Sequence, residues 1–267
     1  MPKSKKHNEK KSERIKIFYE GVEEKDVKLL VNHTRITAQN LNLPVQIEDA
    51  ERLWTENLKD EIFEKLAKIR VFKWNEFEIQ NFVSPVEIQF ERRKAEGKIK
   101  SFGIVYEGFL LQGIFLSAIS GRIDEKRDFP VVITDRQIAT FGDDGRFHLR
   151  VAVIGFPSIV SKTGLFSAPA KPKEYHIAKF VSEDVALLKG YSIKEEVEKK
   201  FYSLGRPYVI LTYLWLKEAI GFCENPVCFF SDSHTIEELF ISKSGKIKLC
   251  DFHSTAITNS YKRKKLF

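Results

Sequence analysis

The chain has 267 residues, 43% of them hydrophobic and 30% charged, with a formal net charge of +7. That length supports a substantial core in one large domain or two small ones. No run approaches the roughly 18 apolar residues of a membrane span, and the polar first residues lack the apolar centre of a secretory signal, so a cytoplasmic protein without a membrane partner is expected.

Much of the positive charge sits at the ends. Lys3, Lys5, Lys6, Lys10, Lys11 and Arg14 crowd the start, and Lys262, Arg263, Lys264 and Lys265 the finish. Residues 1–12 and 259–267 therefore read as basic tails, solvated and disordered, around a single α/β domain of residues 13–258. Such tails can also meet RNA phosphates or an acidic protein partner. The Lys- and Glu-rich surface and single Met suit a heat-adapted organism.

Residues 15–19 alternate as a strand does. Val27, Leu30, Val31, Thr34, Ala38 and Leu41 share one helical face over 24–42. Pro44 stops that helix, and residues 45–47 read as a second strand, so the unit implies parallel pairing in an α/β fold. A further amphipathic helix is expected over 49–69. Residues 77–90 read as a strand or extended connection, and 91–98 as a helix end or turn. Residues 104–119 fit either a buried helix or two short strands.

Residues 129–134 form a clear strand, 142–145 a turn, and 148–155 a buried central strand. Phe156 to Ser158 reads as a turn. Ala168 to Pro172 is a rigid connection. Residues 173–200 are expected to be helical and broken near Gly190. Pro207 is placed in the first turn of the next helix, which runs to 222 and delivers Cys223 at its end.

All three cysteines lie between 223 and 250. Cys223 and Cys228 bracket Asn225 and Pro226, which are turn residues, and Cys250 is followed three residues later by His253. Two close pairs of thiolate and imidazole donors at this spacing make a four-coordinate site for one Zn²⁺. Four protein ligands leave no position for water, so the expected role is structural, stapling residues 223–253.

This stretch resembles the C-terminal part of the archaemetzincins, zinc metalloproteases whose pattern is H-E-x-x-H-x-x-G-x-x-H-C-x₄-C-x-M followed by a C-x-x-C pair. Cys223 and Cys228 match the first pair, with Phe230 where that family has Met. Cys250 and His253 match the second, with His replacing the last Cys. Residues 231–233 and 236–238 resemble the stretch between, and the resemblance extends loosely over 130–253. It implies a metzincin-like mixed sheet with flanking helices and a zinc-stapled C-terminal segment. It is shared with a family of archaeal proteins classed as metallopeptidases.

The catalytic positions depart from that pattern. Counting back from Cys223, the zinc histidines fall at Phe222, Leu216 and Thr212, the general base at Tyr213 and the glycine at Ala219. None of these side chains can bind catalytic zinc or take a proton from its water. The resemblance therefore implies a relative that has lost peptidase activity and acts by binding. Two rivals stand beside it. His148, His176, His234, Glu237 and Glu238 could converge on a second, hydrolytic metal, although residues near 234 also read as a capped helix start. The basic tails could belong to an RNA- or ribosome-associated factor.

Overall fold

The computed structural model describes residues 12–55, 60–100 and 103–265. In chain order it contains β1 (Arg14–Glu20), α1 (Glu24–Asn40), β2 (Gln46–Ile47), β3 (Glu51–Arg52), α2 (Asp60–Lys68), α3 (Pro85–Ala95), β4 (Val105–Glu107) and α4 (Gly108–Ile119). Then come β5 (Asp128–Thr134), β6 (Gln137–Phe141), β7 (Phe147–Arg150), β8 (Ala152–Val153), β9 (Ser158–Ser161) and α5 (Gly164–Ser167). The rest is helical: α6 (Lys173–Val181), α7 (Glu183–Lys199), α8 (Phe201–Glu218), α9 (Ile236–Lys243) and α10 (Asp251–Lys265).

The main sheet runs β2-β1-β5-β9-β8, with β3 also on β1. All its pairs are parallel except β8 with β9. Parallel strands buried on both faces must be apolar on both. Ile15, Ile17, Val131 and Ile133 face a core shared with α1 and α8, while Phe18 and Val132 face another shared with α2 and α4. A small second sheet, β4-β6-β7, lies alongside. The expected α/β architecture, a mixed sheet flanked by helices, is the one observed.

A cluster of charges lies buried at the carboxyl ends of β1 and β5. Arg136 is fully buried between Glu20 (Nε to Oε1, 2.6 Å) and Glu91 (Nη1 to Oε2, 2.5 Å). Arg70 and the Tyr106 hydroxyl also donate to Glu91, and Trp54 and Thr134 to Glu20. Burial alone would raise both carboxyl pKa values, but the arginine charges reverse this and hold them below the ordinary range.

Several elements differ from expectation. Residues 51–52 are strand, pairing with Phe18 and Tyr19, and among the described residues the helix expected over 49–69 occupies only 60–68. Residues 85–95 are helix, begun by a capping box of Ser84 and Glu87 with Pro85 in its first turn. Residues 104–119 are both alternatives in sequence, a three-residue strand and then a helix. The stretch 148–155 is not central: it divides between β7 in the second sheet and β8 at the edge of the first. Ser158, read as part of a turn, opens β9.

The break between α6 and α7 falls at Ser182, whose backbone is extended. Gly190 stays helical, and a Cβ there would lie 3.1 Å from the Tyr175 ring, so its role is close packing. Helix α8 begins at Phe201, placing Pro207 inside it, because Phe201 and Leu204 already belong to the buried face. The basic run 262–265 lies within α10, whose backbone continues to Lys265, where a tail was expected. Of the N-terminal tail, residues 1–11 lie outside the described residues.

Candidate metal centre and adjoining cleft

Helix α8 ends in a left-handed turn. Ala219 has φ 53°, its N–H bonds to Trp215 O (3.0 Å), and the Ile220 N–H reaches back to Leu214 O (3.2 Å). This is the Schellman arrangement, which reverses the chain and satisfies the last carbonyls. The helix thus stops short of the expected residue 222, and Cys223 arrives four residues beyond the turn.

From there the chain folds on itself. The Cys223 N–H bonds to Phe230 O (2.9 Å), the Asp232 N–H to Cys223 O (3.0 Å) and the Cys228 N–H to Asn225 O (3.0 Å). The Asn225 side chain accepts from the Val227 N–H (3.1 Å), so the turn chemistry between the two cysteines operates as expected. Cys250 sits immediately before α10, and His253 in that helix's first turn. Phe229 ties the two halves together through its N–H to Lys248 O (2.7 Å).

The four candidate ligand atoms meet. Cys223 Sγ lies 3.6 Å from Cys250 Sγ, and His253 Nδ1 lies 3.2 Å from Cys250 Sγ and 3.8 Å from Cys228 Sγ. All four atoms fall within 4.8 Å of one another. A tetrahedral ion with Zn–S bonds of about 2.3 Å needs S···S edges of about 3.8 Å. No disulfide links the cysteines, so three thiols and an imidazole form the donor set. His253 Nε2 lies 3.2 Å from the Gly221 carbonyl, a pure acceptor, so Nε2 carries the proton and Nδ1 presents its lone pair to the cluster. The residues present fit a closed Zn²⁺ site.

The thiols are not equivalent. Burial pushes the Cys223 thiol up to about 11, with Cys250 adding to the effect against the Asn225 N–H. Burial would raise Cys250 too, but hydrogen bonding, first from the His253 backbone N–H at the head of α10, outweighs it and lowers that pKa. Cys250, at the head of α10, is the thiolate the fold favours first.

The metal cluster lies behind a cleft of about 550 Å³. One wall is the stretch 148–154 of β7 and β8. The facing wall is Tyr208, Leu211 and Trp215 of α8 with Phe222, and Asp232, Ser233 and His234 close one end. Gly221 belongs to both places, lining the cleft while accepting the bond from His253. The sequence count put α8's inward positions at 212 and 216, one residue from those that line the cleft. Thr212 is buried and bonds Tyr208 O (3.2 Å). Tyr213 turns to the sheet, its ring edge-on to Phe129 and its hydroxyl on Glu13 (3.2 Å). Of the counted positions, Phe222 alone lines the cleft.

His148 and His234 both reach this cleft, but no second metal cluster forms among the described residues. His148 Nε2 pairs with Asp144 Oδ1 (2.8 Å), and with Arg146 holds Asp144 at about 2. The helix-cap reading of the 234 region holds. Thr235 caps α9 by accepting from the Glu238 N–H (3.2 Å), and Glu238 Oε2 accepts from the His234 N–H (2.8 Å). His176 sits on α6 against Tyr175.

Lys243 is a site residue that sequence reading missed. It is buried on α9, and its Nζ donates to Ser231 O (2.7 Å), Ser233 Oγ (2.7 Å) and Ser242 Oγ (3.1 Å). It clamps the segment joining Cys228 to the cleft wall. Burial pulls its pKa down to about 7, against the opposing charges of Asp232, Cys228 and Glu238.

A model of the family described as "Probable metallopeptidase family (DUF6775)" matches residues 11–260. No curated protein matches the chain. Among solved structures, an archaemetzincin from Methanopyrus kandleri aligns with a TM-score of 0.47 at 12% identity, over 94% of this chain and 97% of its own. A zinc-dependent peptidase from Methanocorpusculum labreanum aligns with a TM-score of 0.40 at 13% identity, over 91% and 99%. No helix among the described residues is long and apolar enough to cross a membrane.

Proposed function

The chain belongs to the probable metallopeptidase family, and from that premise we propose that it is a zinc-stapled member which binds a peptide rather than hydrolysing it. One Zn²⁺ is held by Cys223, Cys228, Cys250 and His253. It supplies a fixed four-coordinate cross-link and leaves no ligand position for water. The protein residues do the rest: His253 anchors Gly221, and the two turns hold the sulfurs.

The observation that carries the loss of hydrolysis is the cleft face of α8, which presents Tyr208, Leu211 and Trp215. An aromatic and aliphatic surface recognises side chains and offers neither a metal ligand nor a carboxylate base. Opposite it, β8 pairs with β9 alone among the described residues, so it stands at the sheet edge. An extended segment of a partner protein adds there as a further strand, with its alternate side chains against Trp215 and Phe222. We place this activity in the cytoplasm, where three reduced thiolates persist on a metal.

Elemental analysis with peptide binding tests this. The expected result is one zinc per chain, lost in Cys228→Ser, and an extended-peptide library that yields ligands, bound more weakly by Trp215→Ala, without cleavage. Two metals per chain, or cleavage that Trp215→Ala reduces and a chelator stops, would overturn the loss of hydrolysis. Absence of zinc from the freshly purified protein would overturn the staple.

A further inference from the structure

An exposed apolar surface lies away from the cleft, on the hairpin of α6 and α7. In α6 and the first half of α7 the buried residues are small, Ala178 and Ala186. The large apolar side chains point outward. Ile177, Phe180, Val181, Leu187, Leu188 and Tyr191 are all mostly exposed, Phe180 to 97%. Further along, α7 is anchored, because Val197 joins the main core. The hairpin is therefore fastened at its base and apolar around its outer part. A helix apolar on several sides is ordinarily enclosed by other protein.

We propose that this hairpin is a self-association surface, on which a second copy of the chain packs its own hairpin to form a four-helix bundle. The exposed side chains together offer on the order of 800 Å², about what each partner contributes to a standard stable interface. Between Ile177 and Tyr191 the charges balance, with Lys179 and Lys189 against Glu183 and Asp184. A two-fold interface brings a patch against its own copy, and a neutral patch does so without self-repulsion. An anionic membrane or a nucleic acid would call for a surplus of positive charge, which these residues lack.

Size-exclusion chromatography with light scattering on the full, zinc-loaded chain decides the matter. At about 100 µM the expected mass is twice the 31.0 kDa of one chain. The double variant Phe180→Glu/Leu188→Glu should return to the single-chain mass, its dissociation constant raised about 100-fold or more. Its zinc content and circular dichroism should be unchanged. Leu187→Lys serves as a milder second variant should the first misfold. A wild-type chain that stays single at every concentration overturns the proposal. So does a dimer that survives in a folded variant, and so does a single chain that floats with anionic vesicles.

Discussion

Two polar clusters among the described residues are built on opposite principles. Around Arg136 the chain supplies both signs itself. Arg70 and Arg136 face Glu20 and Glu91, and the oxygens of both carboxylates have donors. At the C-terminal segment it supplies potential metal ligands and no counter-charge, three sulfurs and an imidazole nitrogen. The first cluster can be complete as soon as the chain is folded. With the Zn²⁺ proposed above, the second would reach the same completeness only once the cation is bound, and its contribution to stability would depend on metal concentration and pH. One region's stability is written into the sequence, whereas the other's is conditional.

The sharpest way to break that contrast is to take metal away. Chelation at neutral pH should lower the melting temperature by about 10 °C or more and strip hydrogen-exchange protection from residues 221–258. The strands around Arg136 should keep theirs. If both regions lose protection together, or neither does, the two clusters are not independent and the contrast fails.

The converse perturbation is Arg136→Met, which leaves Glu20 and Glu91 buried without their shared counter-ion. Removing one partner of a buried ion cluster costs about 3–5 kcal/mol. Urea denaturation of the zinc-loaded protein should show that loss. The double variant Glu20→Gln/Arg136→Met should recover part of it, since Glu91 then keeps Arg70 and no buried carboxylate is left without a counter-ion. A loss below about 1 kcal/mol for Arg136→Met would mean that water reaches the site.

What could be read from the sequence follows the same divide. The four side chains of the candidate metal cluster were legible because each pair is close in sequence and the chain has no other cysteine. The strands at 15–19 and 129–134 were legible because burial on both faces forces an uninterrupted apolar run. The Arg136 cluster was not. Its partners stand 116 and 45 residues away, and an isolated charged residue reads as surface. Lys243 was missed although its partners are near in sequence, because a lysine on a short helix also reads as surface. The cleft face of α8 failed differently: counting residues back from Cys223 fixes a position along the helix, but not the rotation that packing on α1 and β5 imposes. The break at Ser182 was hidden because Gly190 was the stronger signal, yet Gly190 lies inside the helix and leaves room for the Tyr175 ring beside it.

Lys243 offers a finer test, because it is a charge with polar acceptors but no carboxylate on its ammonium. Burial lowers its pKa from 10.5 to about 7. Below about 7 it is charged in both folded and unfolded chains. Between the two values the unfolded chain holds a proton that the folded chain does not, so stability rises with pH and the gain is complete above the unfolded value. With zinc saturating throughout, wild-type stability should climb by about 2 kcal/mol between pH 7.5 and 9 relative to Lys243→Met. Parallel pH profiles would show instead that Ser231, Ser233 and Ser242 keep the ammonium charged.

The smallest expected effect concerns the turn that separates cleft from metal. Ala219 is held at φ 53°, a left-handed conformation that costs an L-residue about 1–2 kcal/mol, and it stands where the archaemetzincin pattern has glycine. Glycine carries no such penalty but loses about 0.5–1 kcal/mol more entropy on folding. Ala219→Gly should therefore stabilise the chain by about 0.5–1 kcal/mol, raising the melting temperature by about 2 °C. Because the turn sets the approach of Gly221 to His253, its zinc affinity should be unchanged or slightly higher. A destabilised Ala219→Gly would mean that the methyl group packs in a way its exposure does not suggest. A stabilised variant with weakened zinc binding would mean that strain at Ala219 helps to aim Gly221. In that case the helix end would be tuned to the metal rather than inherited as a simple reversal of the chain.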